Sequence, residues 1–147
     1  IDFVIRVSKN DKIKWLITTS RRTPLKIEEK LRKRLEEHCA YFVAYNEKPE
    51  KVLLPFLGLS KVVFVTEESS SMISEGISSQ RPIYTLSPEE AHPDSNYQKI
   101  LQKFFLKKSI KRIEILQFQD FKVHLEDFNT IETDSYVEIA KRIKEYL

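Results

Sequence analysis

Glycine is scarce in this sequence, with only Gly58 and Gly76 among 147 residues. Neither the Gly-x-Gly-x-x-Gly turn of dinucleotide-binding proteins nor the Gly-x-x-x-x-Gly-Lys-Ser/Thr loop of P-loop proteins occurs. The Gly-x-Ser-x-Gly turn of serine hydrolases is absent as well. A glycine cradle for phosphate therefore cannot be built, and any anion site must use side chains and helix N-termini.

The sequence also has a single cysteine, no long apolar run and a small net charge. Cys39 alone permits no internal disulfide, which agrees with a reducing compartment, and we predict a cytoplasmic protein. No apolar run approaches the ~20 residues that span a bilayer, although a peripheral membrane contact stays open. The net charge of +3 is too small to indicate nucleic-acid binding. No His–Cys cluster has zinc spacing, and we expect neither a metal nor a cofactor.

Apolar runs that alternate with helical patterns predict an α/β fold. At 41% hydrophobic and 32% charged residues, the composition is that of a globular protein. We predict one Rossmann-like domain over residues 1–147, with a parallel sheet covered by helices on both faces. The chain starts at Ile1 and its only methionine is Met72, so we expect a piece of a longer protein with an upstream domain. The predicted strands cover residues 13–19, 41–45, 62–65 and 82–86, and residues 1–12 fit either a strand or a helix.

Three helix starts are predicted from capping patterns. Thr23 followed by Pro24 predicts the start of a helix over residues 24–38. Ser95 with Gln98 predicts a second helix, and Ser135 with Glu138 predicts a last helix that reaches Leu147. The apolar residues of the first helix are spaced by four and are predicted to be buried: Ile27, Leu31, Leu35 and Cys39.

A first polar loop, Ser20-Arg21-Arg22-Thr23, follows a predicted strand and opens a helix. Two guanidinium groups, hydroxyls and free helix N–H groups are suited to binding an anion. The alternative interpretation is a helix cap followed by two solvated arginines, and the sequence does not separate the two.

A second polar loop, Ser69 to Glu75, follows the predicted central strand. If Ser71 caps the next helix, Glu75 lies one residue too late for a capping box and is free for a ligand. Ser70, Ser71 and Ser74 would add short hydrogen bonds. In a parallel sheet both loops lie on one edge, so they could hold one ligand, its anionic group at the arginines and a sugar hydroxyl at Glu75. The alternative is a plain strand-to-helix connection whose serines cap the helix.

Several segments carry a resemblance to a known family. They are Ile-Thr-Thr-Ser-Arg-Arg-Thr-Pro at residues 17–24, Val-Thr-Glu-Glu-Ser-Ser-Ser-Met-Ile-Ser-Glu-Gly at residues 65–76, Arg-Pro-Ile-Tyr at residues 81–84, and the tail Glu-Thr-Asp-Ser-Tyr-Val-Glu-Ile-Ala at residues 132–140. In this order they resemble the mitochondrial-fission ELM (elongated mitochondria) family and its bacterial relatives. The resemblance spans Ile13 to Leu147.

That family is similar to the carboxyl-terminal half of GT-B glycosyltransferases, such as the enzyme that adds N-acetylglucosamine to lipid I. Those enzymes have two Rossmann-like domains and bind a nucleotide-sugar mainly on the second. The resemblance therefore implies a nucleotide-sugar or nucleoside diphosphate as ligand, with the acceptor presented by an upstream domain. It implies that Glu75 holds the donor ribose, that Ser71 and Ser74 face the donor, that Ser20 to Thr23 form the phosphate-side loop, and that the loop from Ser87 to Asn96 lies near the sugar.

A non-enzymatic adaptor is the alternative function. The first loop lacks the glycines of the transferases, and Lys61 stands where relatives usually carry Asp before the central strand. Plant members of the family act by recruiting a dynamin-related protein. On this hypothesis the chain keeps the fold and recruits a protein partner.

Overall fold

The computed structural model describes residues 1–87, 94–129 and 141–145. Its helices are α1 (Asp2–Asp11), α2 (Leu25–Leu35), α3 (Leu53–Leu59), α4 (Ser70–Ser78) and α5 (Ser95–Leu106). Its strands are β1 (Trp15–Thr18), β2 (Cys39–Val43), β3 (Val63–Thr66), β4 (Ile83–Ser87) and β5 (Lys111–Glu114). Short 3₁₀ segments follow α2 and β5, at Glu36–His38 and Ile115–Asp120.

The strands form two open parallel sheets. β1 pairs with β2, and β3, β4 and β5 pair in that order. A helix lies between the strands of each pair in the chain, because parallel neighbours need a long crossover connection. These observations confirm the predicted α/β class and are consistent with a Rossmann-like fold.

Two apolar layers cover opposite faces of the β3–β5 sheet, because successive strand side chains point to opposite faces. Val65 and Ile83 belong to one layer, which α4 and α5 cover, and Tyr84 belongs to the other, which α1 covers. The buried residues of the first layer are Val65, Ile73, Ile77, Ile83, Leu101 and Ile110, and those of the second are Phe3, Val7, Trp15, Tyr84 and Ile113. Phe3 and Val7 are one helical turn apart, which settles the ambiguous start of the chain as a helix.

A cavity separates the two sheets. Among the described residues no backbone hydrogen bond joins β1 to β3, and a space of about 540 Å³ with a mainly apolar lining lies between them. Side chains hold the halves together: the rings of Trp15 and Phe64 are 4.9 Å apart, and the Trp15 indole donates a hydrogen bond to Ser8 of α1 at 2.8 Å. The two sheets therefore share an apolar layer without sharing a hydrogen-bonded ladder.

The start of α2 differs from the prediction. Pro24 is the N-cap, so Thr23 lies outside the helix. Ile27 was predicted to be buried and is 45% exposed, whereas the next residue, Glu28, is only 2% exposed. Glu28 rather than Ile27 therefore points toward the protein interior. Its carboxylate accepts hydrogen bonds from groups that follow β1 and β2.

Other boundaries shift by one or two residues. Ser69, not Ser71, is the N-cap of α4, and it makes no side-chain capping bond. Asp94, not Ser95, caps α5, and its carboxylate accepts hydrogen bonds from two backbone N–H groups at 2.9 Å. The predicted last helix lies mostly outside the described residues, of which 141–144 are helical. Across the described ranges, the helices are too short or too polar to cross a membrane.

Candidate functional site

The loop between β1 and α2, residues 19–24, is here called the guanidinium loop. It is a compact turn: the Thr23 N–H donates to the Ser20 carbonyl at 2.9 Å, and the Ser20 N–H donates to the Thr23 hydroxyl at 3.2 Å. The Arg22 N–H donates to the Ser20 hydroxyl at 3.2 Å. The hydroxyls predicted to bind a ligand therefore already accept hydrogen bonds that fold the loop.

The side chains of Arg21 and Arg22 are exposed. Within the described residues neither guanidinium group makes an ion pair or a hydrogen bond. By contrast, three other arginines bind a carboxylate: Arg32, Arg34 and Arg112. The guanidinium loop thus presents two positive charges that are free to bind an anion.

A buried carboxylate braces the guanidinium loop from behind. The Glu28 carboxylate accepts a hydrogen bond from the Thr19 hydroxyl and from the Asn46 N–H, the latter at 3.2 Å from each oxygen. The Asn46 side-chain amide donates to the carbonyls of Ser20 and Thr23, at 3.2 and 2.7 Å. The loop after β2 and the loop after β1 are therefore joined into one hydrogen-bonded unit.

The second predicted loop, here called the serine segment, comprises residues 69–75 and includes the first turns of α4. Ser70, Ser71, Ser74 and Glu75 are all exposed. In the part of the chain that the structure describes, their side chains make no hydrogen bond or ion pair. The first N–H groups of α4 also have no intrahelical partner, as at any helix start. These groups are available to a ligand at the carboxyl end of β3.

Glu67, the first residue after β3, is the buried acid of this edge. It is 2% exposed, and its carboxylate binds the Arg112 guanidinium through two hydrogen bonds at 2.7 and 2.8 Å. The Thr85 hydroxyl donates to the same carboxylate at 2.8 Å. The hydrogen bonding of Arg112 to Glu67 raises the pKa of Arg112, whose guanidinium also lies 4.8 Å from the ring of Phe105. The group joins β3, β4 and β5, and its carboxylate is occupied by protein contacts.

Tyr97, at the start of α5, lies against the carboxyl end of β3. Its hydroxyl donates to the Glu67 carbonyl at 2.5 Å. Burial raises the pKa of Tyr97, the charges of Glu67 and Glu68 raise it further, and the positive charge of Arg22 lowers it. The last residues of β1 and β3, Thr18 and Thr66, both line the cavity between the sheets, so the loops that follow these two strands begin beside the same cavity.

The predicted site residues form two groups. Ser20, Arg21, Arg22 and Thr23 lie together in the guanidinium loop, and Ser70, Ser71, Ser74 and Glu75 lie together on the serine segment. Asn96 is exposed in the first turn of α5, next to Tyr97. Residues 88–93 of the loop predicted to lie near the sugar are outside the described residues. No hydrogen bond or ion pair joins Glu75 to the arginines within the described ranges.

Sequence reasoning missed the two buried acids, Glu28 and Glu67. An acid on a charged helix and an acid in a Ser/Glu-rich turn both have the pattern of solvated residues. The donors that hold them, above all Asn46 and Arg112, are far away in the sequence. Among the described residues, no three His, Cys, Asp or Glu side chains are grouped so that they could hold a metal ion.

The parallel α/β sheets and the polar loops that follow their strands are typical of the Rossmann-like class of α/β proteins. Over residues 1–147 the chain matches the profile of the family described as "Mitochondrial fission ELM1". The chain belongs to this family, as its sequence motifs predicted. Comparison with curated proteins gave no match, and comparison with solved structures gave none either.

Proposed function

We propose that this chain is the nucleotide-sugar-binding half of a GT-B-type glycosyltransferase-like protein whose upstream domain presents the acceptor. One observation carries the proposal. Two exposed guanidinium groups without a carboxylate partner among the described residues lie on a hydrogen-bonded loop, and the strand before this loop ends at the same cavity as β3. A diphosphate is the anion that two adjacent arginines bind well, because each guanidinium offers a planar fork of donors.

Each part of the site has a chemical role in this proposal. Arg21 and Arg22 bind the diphosphate, and the free N–H groups at the start of α4 add dipoles of the same sign. Glu75 accepts hydrogen bonds from ribose hydroxyls, while Ser71 and Ser74 contact the donor beside it. When the sugar is transferred, its anomeric carbon forms a bond to the acceptor oxygen, whose proton passes to a base on the upstream domain. The bond from the sugar to the diphosphate oxygen breaks, and that oxygen keeps the electron pair. The arginines stabilise this negative charge.

The test is calorimetric titration of the full-length protein with nucleoside diphosphates and their sugars. Replacing Arg21 or Arg22 by Ala should weaken binding roughly 10- to 100-fold, which corresponds to the 1.5–3 kcal/mol of a hydrogen bond to a charged group. Arg81→Ala is the matched control. It removes the same charge before the amino end of β4, where the guanidinium donates to the Gly58 carbonyl at 3.2 Å. Absence of binding by the full-length protein would refute the proposal.

Glu75 has a separate test. Glu75→Ala should weaken binding of a nucleoside diphosphate but leave the affinity for inorganic pyrophosphate equal or slightly higher, because pyrophosphate has no ribose. Glu36→Ala removes the same charge from an exposed position after α2 and should change neither affinity. Equal binding of the nucleoside diphosphate by Glu75→Ala and by the unmodified protein contradicts the role assigned to Glu75.

A protein-recruiting adaptor is the second candidate, and one observation favours it. Leu54 and Leu59 on α3 are 75% and 76% exposed, which leaves apolar surface on one short helix. The two functions separate in cells. If the chain is an adaptor, alanine at Arg21, Arg22 and Glu75 leaves cellular function intact, whereas serine at Leu54 and Leu59 abolishes it. A nucleotide-sugar protein shows the opposite pattern.

A further inference from the structure

The hydrogen-bonded group that supports the guanidinium loop consists of Thr19, Glu28 and Asn46, and is here called the brace. Packing alone does not require that it contain an acid. Glu28 is 2% exposed and lies in the first turn of α2, where a leucine would cover the sheet equally well. All of its hydrogen-bond donors in the described residues are neutral: the Thr19 hydroxyl and the backbone and side-chain amides of Asn46. Burial of a carboxylate costs free energy. What the Glu28 oxygens supply in return is the acceptors for these hydrogen bonds, which an apolar side chain does not have.

The hydrogen bonds reach both ends of the guanidinium loop. At its start, the Thr19 hydroxyl donates to Glu28 and accepts from the Tyr45 N–H at 2.8 Å. At its end, the Asn46 side chain donates to the Thr23 carbonyl at 2.7 Å. The loop is thus fixed at both ends by the acid and by the chain that follows β2.

None of these bonds uses the side chain of Arg21 or Arg22. The brace fixes the backbone and leaves the two guanidinium groups without a partner among the described residues. A loop that is ordered before binding does not lose that conformational freedom when the ligand arrives, and its affinity is correspondingly higher.

We propose that Glu28, Asn46 and Thr19 are positioning residues that set the affinity for a diphosphate by holding the guanidinium loop in its binding conformation. The ligand part of this proposal rests on the proposed function. Its structural part, the order of the loop in the free protein, does not.

The experiment uses the full-length protein and inorganic pyrophosphate as the probe. The variants Glu28→Gln, Asn46→Ala and Thr19→Val each remove one connection. Thr19→Ser keeps the hydroxyl, and Glu47→Gln changes an exposed acid on the same loop as Asn46 that pairs with Arg32. Amide hydrogen exchange at Arg22, Tyr45 and Asn46 measures loop order, and calorimetry measures pyrophosphate affinity.

We expect the three disrupting variants to exchange these amides at least tenfold faster and to bind pyrophosphate about 10- to 100-fold more weakly. Thr19→Ser and Glu47→Gln should keep the original values. Saturating pyrophosphate should restore protection of the loop amides in the disrupted variants, which a purely structural role would not produce. Asn46 is exposed, so its variant can be tested even if substitution of buried Glu28 prevents folding.

Two outcomes overturn the proposal in distinguishable ways. If the unmodified protein binds pyrophosphate, and Arg22→Ala weakens that binding while Asn46→Ala and Thr19→Val do not, the positioning role is wrong and the proposed function stands. If the unmodified protein binds neither pyrophosphate nor a nucleoside diphosphate, the proposed function fails and so does the effect on affinity proposed here, while the exchange rates of the loop amides still test whether these residues order the loop.

Discussion

Two ion pairs of this protein form a controlled comparison of what burial does to a salt bridge. Arg112 binds Glu67 and Arg32 binds Glu47, both at 2.7 Å, and the two arginine side chains are 42% and 43% exposed. Each guanidinium also lies over a phenylalanine ring, at 4.8 and 5.1 Å. The pairs differ in the acid, because the Glu67 side chain is 2% exposed and the Glu47 side chain is 62% exposed. They differ also in hydrogen bonding, since Arg112 makes two hydrogen bonds to its acid and Arg32 makes one.

Arg112→Met keeps an aliphatic stem against the ring and removes the charge. Loss of one partner from a buried ion pair costs about 3–5 kcal/mol. The Thr85 hydroxyl still donates to Glu67, and the half-exposed position of Arg112 lets water approach, so we expect about 2–3 kcal/mol of the free energy of unfolding to be lost. Arg32→Met should cost less than about 1 kcal/mol, as is usual for exposed pairs.

Urea denaturation measures both values. With a slope of about 2 kcal/mol per molar urea, the midpoint for Arg112→Met should fall by about 1–1.5 M, and the midpoint for Arg32→Met by less than about 0.5 M. The combined variant Glu67→Leu, Thr85→Val, Arg112→Met removes the unpaired acid and should recover most of the loss. Equal shifts for the two single variants would refute the argument from burial.

Three further predictions follow from other contacts. Arg22→Ala should raise the pKa of Tyr97 further, because a lowering charge is removed; NMR of ¹³C-labelled tyrosine measures it. Since the folded pKa lies above the unfolded value, the stability this phenol contributes is present below pH ~10 and is lost as pH rises through the folded pKa. An unchanged pKa would place Arg22 far from Tyr97. Gly58→Ala should stabilise α3 by about 0.5–1 kcal/mol, since nothing lies within 4 Å of the added Cβ. Gly76→Ala should gain nothing, because its Cβ would lie 3.1 Å from a buried isoleucine of β4; equal gains for both in urea denaturation would contradict this. Tyr84→Phe should lower the free energy of unfolding by about 1–2 kcal/mol. The reason is that the Tyr84 hydroxyl donates to the backbone carbonyl of residue 124 at 2.8 Å and accepts from its N–H at 3.1 Å. A change in the urea midpoint within error would show that these bonds contribute little.

The class of fold was accessible from sequence because local patterns decide it. The run Val62 to Val65 predicted the central strand, and β3 occupies Val63–Thr66. Apolar runs alternating with helical patterns predicted parallel pairing, which the register of β3, β4 and β5 confirms. The split between β1 and β3 was not accessible, because pairing between strands depends on how all layers pack and not on either strand alone.

The inward face of α2 shows where periodicity fails. Ile27, Leu31 and Leu35 satisfy a helical stripe, but Glu28 takes the inward position and Ile27 is left exposed. A hydrophobicity pattern treats Glu28 as a surface residue. Its burial depends on Asn46, 18 residues away, whose amide groups the sequence alone does not place beside it.

The acids near the serine segment show the same limit. The capping pattern predicted Glu75 as a ligand-binding residue, and Glu75 is exposed. Glu67 was not predicted as a site residue, and it is the buried acid. The contact that explains Glu67 comes from Arg112, 45 residues further along the chain. Residue types at the ends of strands predicted which edge is polar. Long-range contacts decide which of those side chains are bound by other groups of the protein.

The break between β1 and β3 also bears on how the two polar loops are spaced. In a continuous sheet, adjacent strands are fixed about 4.8 Å apart by their backbone bonds. Here the guanidinium loop belongs to one sheet and the serine segment to the other, and the described contacts between the sheets are apolar side chains such as Trp15 against Phe64. Such contacts resist separation but allow small sliding motions more readily than a ladder does. A molecule bound to both loops would then link the two sheets through polar contacts. Its binding would narrow the range of distances between the β1–β2 sheet and the β3–β5 sheet.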